Sequence, residues 1–251
     1  MKPRSSTPSD TFRVEGLASV LEYLRHKPAS VKAVWCTDAA AREAAPVLQE
    51  FGVTPKRFVP AKDEAQIGRS SPVWAELAIE SLDQADFLAR VQVRQKEDRK
   101  EDLILALDHV VDPRNVGAMV RSAAFFGVTE VLVPERRQAL LANSSVNTAQ
   151  GGFTICDLVV VVNLGRVLEE LKELGYWIIG ADMGGETIDA IRTSKYGKIV
   201  LVMGSEESGL AVGIRSKCDR MVSINGSPRG LESLNVSVAA GILMQQLGTS
   251  R

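Results

Sequence analysis

Cysteine and histidine are scarce in this chain: 251 residues include three Cys and two His. Cys36, Cys156 and Cys218 lie far apart and form no Cys-x-x-Cys pair, so neither a disulfide framework nor a zinc knuckle is indicated. They read as core or incidental thiols. With only His26 and His109 present, a histidine metal cage is out of reach, and a Ser-His-Asp triad would need one of these two. Metal-dependent and serine-hydrolase chemistry are therefore disfavoured. No run of about 18 apolar residues occurs, as a membrane span would need. The Ser- and Pro-rich residues 1–10 lack the apolar segment of a secretory signal, which points to a cytoplasmic protein without a membrane partner. An excess of one charge is missing too: 30 Lys and Arg face 31 Asp and Glu, for a net charge of −1. No global field draws in nucleic acid, so any RNA binding must be local.

What is present suits a globular protein. The 45% hydrophobic and 24% charged content supports a real core, and 251 residues can hold two ordinary domains. Nine consecutive polar or charged residues, Arg94 to Asp102, separate two regions that each carry apolar segments. The expected layout is a flexible tail at 1–10, a small α/β domain at 11–93, a charged linker at 94–102 and a larger domain at 103–251. In the small domain, helices are predicted at 16–24 and 39–51 and strands at 31–35, 56–59 and 73–79. In the larger one, strands are predicted at 103–107, 130–133, 158–162, 177–181, 199–203 and 221–224, with helices between most of them. Such alternation argues for a mainly parallel sheet covered on both faces. Ligands of such sheets sit at the carboxyl ends of the strands, which singles out the loops 108–115, 204–209 and 225–233.

The first of these loops opens a helix. Asp112 is a natural N-cap and Pro113 suits the first helical position, so Arg114 and Asn115 fall in the first turn. Val116, Met119, Val120 and Ala123 form the predicted buried stripe. On another face Arg114, Gly117, Ala118 and Arg121 follow helical spacing, placing two guanidinium groups beside small residues that let a substrate approach. The second loop, Gly204-Ser-Glu-Glu-Ser-Gly209, follows an apolar strand and carries a carboxylate at that strand's end. It is neither G-x-G-x-x-G nor a P-loop. The third leads through Gly, Pro and Ser to Ser233, a candidate cap for a helix whose start is marked by Asn235 and Ser237. Each of these residues alone has an ordinary explanation as a cap, a surface charge or a solvated carboxylate. The combination is the signal.

Together, Asn115 to Arg121, Met203-Gly-Ser-Glu-Glu-Ser-Gly209 and Ser233-Leu-Asn-Val-Ser237 resemble the three motifs of the SpoU (TrmH-type) RNA 2′-O-ribose methyltransferases. The resemblance covers about residues 103–247, and the layout is similar to two-domain members with a small RNA-binding domain ahead of the catalytic one. It implies the SPOUT fold, a mostly parallel sheet whose carboxyl-terminal segment forms a trefoil knot, which general topology rules would have excluded. It also implies S-adenosylmethionine as cofactor, RNA as partner, and a homodimer through the catalytic domain in which both subunits contribute to the site. Asn115 and Arg121 match the first motif, Glu206 the second, and Ser233 and Asn235 the third. Gly204, Ile224 and Leu234 match positions that line the cofactor pocket, and no metal is implied. The implied reaction is displacement at the sulfonium methyl by a ribose 2′-oxygen, in ribosomal or transfer RNA, with Arg121 as the residue that activates or stabilises that oxygen.

Two departures stand out. Ile224-Asn-Gly-Ser-Pro-Arg-Gly-Leu-Glu232 replaces a shorter Ile-Pro-Met loop, and Ser71-Pro-Val-Trp74 replaces a His-Gln-Gly-Val-like stretch. Trp74 is read as a core residue, with base stacking as its alternative. Two rival classes remain open at this point: a non-catalytic RNA-binding or ribosome-assembly protein on the same fold, and a nucleotide-dependent dehydrogenase. The dehydrogenase lacks its glycine fingerprint and a hydride-handling histidine.

Overall fold

The computed structural model describes residues 11–59, 71–97, 100–135, 141–191, 196–227, 230 and 233–248. The expected tail at 1–10 and most of the loop at 228–232 lie outside the described residues. Among the described residues the strands form two sheets. A four-stranded sheet holds β1 (Thr11–Glu15), β4 (Val73–Ala78), β2 (Val31–Cys36) and β3 (Lys56–Arg57), in that order. β1 and β2 run antiparallel to β4, and β3 runs parallel to β2. Helices α1 (Leu17–His26) and α2 (Asp38–Glu50) complete this unit.

The seven-stranded sheet has the order β11-β9-β10-β6-β7-β8-β5, and every strand pairing in it is parallel. Its strands are β5 (Leu82–Asp83), β6 (Asp102–Leu107), β7 (Glu130–Pro134), β8 (Asp157–Val161), β9 (Trp177–Thr187), β10 (Lys198–Met203) and β11 (Arg220–Ser223). The helices are α3 (Gln84–Lys96), α4 (Pro113–Phe125), α5 (Asn143–Ala149), α6 (Leu164–Glu173), α7 (Val212–Arg215) and α8 (Val236–Leu247). The strands read as nearly continuous Val, Leu and Ile because both faces are buried. Alternation decides which face each side chain joins. Leu105, Leu107, Leu201 and Met203 pack with the buried stripes of α4 and α8, whereas Ile104, Ala106, Val200 and Val202 pack with Phe87 and Val91 of α3 and with α6. The first of these clusters is continuous with the core of the small sheet, where Phe12, Val14, Val34 and Leu77 belong to it.

The strand and helix positions read from sequence hold to within a few residues, apart from β9, which runs on to Thr187, and β3, which is only two residues long. The expected linker does not mark the passage between the sheets. The chain enters the large sheet already at Leu82, and Arg94 to Lys96 are the last turn of α3. α3 buries only Phe87 and Val91, so its sequence shows little helical periodicity, and its charged solvent face continues into the polar run. Arg94 itself is drawn inside. Its Nη1 donates to Glu130 Oε2 at 2.9 Å and its Nε lies 3.5 Å from Asp102 Oδ2, both carboxylates being almost fully buried. Tyr176 also donates to Asp102, and burial together with this acceptor raises the Tyr176 pKa. Trp74 is half-buried, stacked on Trp35 at 5.2 Å with Arg13 4.5 Å from its ring centroid.

Removing one partner of a buried ion pair leaves an uncompensated charge. Arg94→Ala is expected to lower unfolding free energy by about 3–5 kcal/mol in urea denaturation. Asp157 provides a pH test. Burial opposes its ionisation, but hydrogen bonds from Lys27 and Arg90 outweigh that and hold its carboxyl below the usual range. A depressed folded pKa means the contribution is complete above the unfolded value and is lost as pH falls through the folded one. Stability measured between pH 7 and 2 should therefore show wild type ahead of Asp157→Asn above about pH 4, with the gap closing below it.

Candidate active site

The site is assembled where β6, β10 and the start of α8 come together at the carboxyl edge of the large sheet. β6 and β10 pair in register from Asp102 opposite Lys198 to Leu107 opposite Met203, so both strands end at one level. The loops that follow then emerge side by side. Asp108 fastens them: its side chain is buried, Oδ2 accepts the Ala211 amide at 2.7 Å, and its own amide donates to Met203 O at 2.8 Å. Its other oxygen pairs with His109 Nδ1 at 2.5 Å. Gly204 closes the second loop, since a Cβ there would lie 2.3 Å from the Gly209 carbonyl carbon and 2.5 Å from its oxygen.

Three sequence-distant side chains meet on this scaffold. Asn115 Nδ2 donates to Glu206 Oε1 at 2.6 Å, and Asn235 Nδ2 donates to Asn115 Oδ1 at 3.1 Å. Asn235 Oδ1 accepts from the Ser237 amide at 2.9 Å and the Ser237 hydroxyl at 2.6 Å. The direction of this chain is forced from both ends. An ionised carboxylate only accepts and a backbone N–H only donates, so each asparagine has one possible orientation between them. Such a run of aligned amides polarises toward Glu206. Each amide also keeps a second N–H that the chain does not use.

The helix start forms as expected. Asp112 caps α4 through the Arg114 amide at 2.8 Å, with Pro113 in the first turn, and Val116, Met119, Val120 and Ala123 are buried. Two details differ from the sequence reading. The Arg114 guanidinium folds back onto Asp112, at 3.2 Å, and with the Arg114 amide holds that carboxyl below its usual range. Arg114 therefore does not join Arg121 in a paired cationic face. Gly117 is buried against α5 rather than open to a substrate, because a Cβ there would sit 2.4 Å from Ser145 O.

Arg121 is exposed and lines a groove of about 630 Å³ between α4 and α8, together with Ala118, Ser122, Ser237, Val238 and Gly241. It is outside the amide chain but shares Ser237 as a neighbour with it. Asn235, not Ser233, is the N-cap of α8, and Ser233 is exposed ahead of it. Ser233 has no backbone amide in capping position because the helix begins two residues later than a cap there requires. Gly204 is buried, Ile224 half-buried against the core, and Leu234 49% exposed. These three sit at the carboxyl ends of β10 and β11 and at the entry to α8. Asp108 and Ser237 were missed as site residues. A lone strand-end Asp has no periodic signature, although its place in the first loop made it visible. Among the described residues no group of three His, Cys, Asp or Glu is placed to hold a metal.

Residues 102–245, which include Asn115, Arg121, Glu206 and Asn235, match the model of the SpoU rRNA methylase family. The chain belongs to the SpoU rRNA methylase family. It is 32% identical to the 23S rRNA (guanosine-2′-O-)-methyltransferase RlmB of Pseudomonas putida, over 94% of this chain and 95% of that protein. An uncharacterized tRNA/rRNA methyltransferase of Mycolicibacterium vanbaalenii is 40% identical over 62% of this chain, which spans about half of that protein, 49%. The fold is shared with the SpoU methyltransferase AviRb from Streptomyces viridochromogenes in complex with the cofactor AdoMet, at a TM-score of 0.73 and 22% identity over 94% of this chain and 88% of that one.

The closed Gly204 loop gives a direct check on this geometry. Because the clash is with backbone, Gly204→Ala must push the loop open, at about 1–3 kcal/mol for overpacking. Hydrogen exchange should show faster amides at Ser205 and Gly209, whose mutual hydrogen bonds of 3.0 and 3.1 Å close the loop. Unchanged exchange and melting would contradict this account.

Proposed function

We propose that this protein transfers the methyl group of S-adenosylmethionine to a ribose 2′-hydroxyl of ribosomal RNA. The reading is carried by the hydrogen-bonded run Glu206–Asn115–Asn235, which joins all three motifs beside the groove that holds Arg121. As a member of the SpoU rRNA methylase family, the chain is an RNA 2′-O-methyltransferase. Ribosomal RNA rather than transfer RNA is favoured by the full-length similarity to RlmB, whose name specifies 23S rRNA.

The residues present fit the cofactor. Gly204 keeps the second loop tight, Ile224 and Leu234 offer apolar surface for an adenine, and the spare N–H groups of Asn115 and Asn235 suit a carboxylate or hydroxyl oxygen. The bound cofactor supplies an electrophilic methyl group on a sulfonium. Glu206 holds Asn115 in position and would offer its carboxylate to the positive charge of a bound cofactor. Arg121 grips the RNA phosphate and stabilises negative charge as it develops on the 2′-oxygen. A guanidinium is essentially never neutral in proteins, so its role is that of a cation, and the 2′-hydroxyl proton leaves to the water that reaches this exposed groove. Ser233, exposed at the mouth of the third loop, is assigned to the substrate side. Alignment of nucleophile and methyl supplies much of the rate, since positioning can be worth about 7–11 kcal/mol.

Two further features belong to this proposal. The groove between α4 and α8 is partly apolar, lined by Phe126, Ile242 and the 50% exposed Val238, and a second copy of the chain seated there would set partner residues against Arg121. This is the support for a homodimer. The return of α8 from the edge strand β11 to pack against α4 and β10 supports a carboxyl-terminal thread through the 204–210 loop.

Calorimetry with S-adenosylmethionine and methyl transfer to unmodified ribosomal RNA test the proposal together. Arg121→Ala should bind S-adenosylmethionine like wild type while losing about 10²–10³ in kcat, as removal of one charge-stabilising donor does. Absence of cofactor binding by wild type would point instead to a non-catalytic RNA-binding protein on the same fold.

A further inference from the structure

Among the described residues β1 is an edge strand of the small sheet, paired with β4 alone. An edge strand leaves a row of N–H and C=O groups open for another partner. Here two side-chain amides of α5 occupy that row. Asn143 Oδ1 accepts from the Arg13 amide at 2.8 Å. Asn147 Oδ1 accepts from the Glu15 amide at 2.7 Å, and its Nδ2 donates to Arg13 O at 2.9 Å. A side-chain amide carries the same donor and acceptor as a peptide group, so Asn147 stands in for a residue of a neighbouring strand. The two asparagines are four positions apart and share one helix face.

The same short helix is locked to the catalytic domain. It packs against α4 so closely at Gly117 that a Cβ would lie 2.4 Å from Ser145 O, and Thr148 lines the groove beside Arg121. A second set of contacts opposes rotation about this point. Lys27 Nζ donates to Phe153 O at 2.9 Å and to Asp157 Oδ1 at 2.8 Å, and a Cβ on Gly151 would lie 2.8 Å from Glu22 Cβ. The small sheet, α5 and α4 thus form one connected body, with no free tether between the two sheets at this junction.

We propose that α5 is a rigid spacer that holds the small sheet at a set distance from Arg121, with Asn143 and Asn147 as positioning residues that decide which nucleotide of a folded RNA reaches the site. This rests on the reading of the chain as an RNA 2′-O-methyltransferase whose small domain contacts the RNA. A flexibly tethered binding domain raises local concentration and serves many nucleotides within its reach. A docked one permits only the nucleotide at the matching offset. Structured RNA is recognised largely by shape, so a fixed offset is something that it can satisfy at one position.

The test compares wild type with the Asn143→Ala/Asn147→Ala double variant and with Asn147→Asp, which keeps the acceptor for Glu15 and loses the donor to Arg13. Two substrates are used: a full-length 23S rRNA transcript, and a short hairpin cut from it around the nucleotide that wild type methylates. Hydrogen exchange at Arg13 and Glu15 reports the docking, and calorimetry reports S-adenosylmethionine binding. The expected result is faster exchange in the double variant, unchanged cofactor affinity and unchanged kcat/KM on the hairpin. On the full-length transcript kcat/KM falls by about 10²-fold, the cost of roughly an ångström of misplacement, and methylation spreads to neighbouring nucleotides. Asn147→Asp gives the same pattern in weaker form. Wild-type rate and target on the transcript, despite fast exchange at Arg13 and Glu15, would overturn the inference alone, as would an equal loss on both RNAs. A wild type that methylates neither RNA would overturn the enzymatic reading and the inference with it.

Discussion

The register of β6 against β10 is the constraint on which the site depends. These central strands are buried on both faces, so neither face is free to carry polar chemistry. What remains is the carboxyl edge, and there the six-residue in-register pairing brings Asp108 and Gly204 out at the same height. A slip of two residues would preserve the inward and outward alternation of every side chain while separating Asn115 from Glu206. Asp108 guards against this from above the sheet, because its buried carboxylate must find the Ala211 amide to offset the cost of its desolvation.

The amide chain above that edge is exposed, and hydrogen bonds of exposed groups add little to stability. Its value is orientation. Asn115, Glu206 and Asn235 come from segments 91 and 120 residues apart, and each fixes the rotamer of the next. The groove beside it is formed by α4 and α8, whose inner faces belong to the main core. The carboxyl edge therefore inherits its rigidity from the packing beneath it and not from its own polar contacts.

The junction between the sheets follows a similar logic by different means. One hydrophobic cluster runs from α4 into the small sheet, and the amides of Asn143 and Asn147 finish the open edge of β1. The asparagines serve two ends at once, since they protect an aggregation-prone edge and give the two sheets a defined geometry. At the amino edge of the large sheet, Arg94 between Glu130 and Asp102 ties α3 to β6 and β7.

Much of this was determined by the sequence alone. Runs such as 103–107 and 199–203 are apolar on both alternations, which only a doubly covered strand needs, and Asp112-Pro113 announces a helix start by local capping chemistry. The three motifs, read together, identify the family because their residues recur in a fixed order. Tertiary structure decided what depended on partners distant in the chain. Arg94 looked like part of a solvated linker because the carboxylates that bury it belong to β6 and β7. Arg114 and Arg121 looked equivalent on a helical wheel, but Asp112 captured the first and left the second to the groove. Gly117 looked like room for a substrate until α5 was seen to fill it, and nothing local in Asn143 or Asn147 could reveal that their amides complete a strand some 130 residues earlier. Local chemistry is written in neighbouring residues, whereas burial and pairing are properties of the folded neighbours that the chain later brings together.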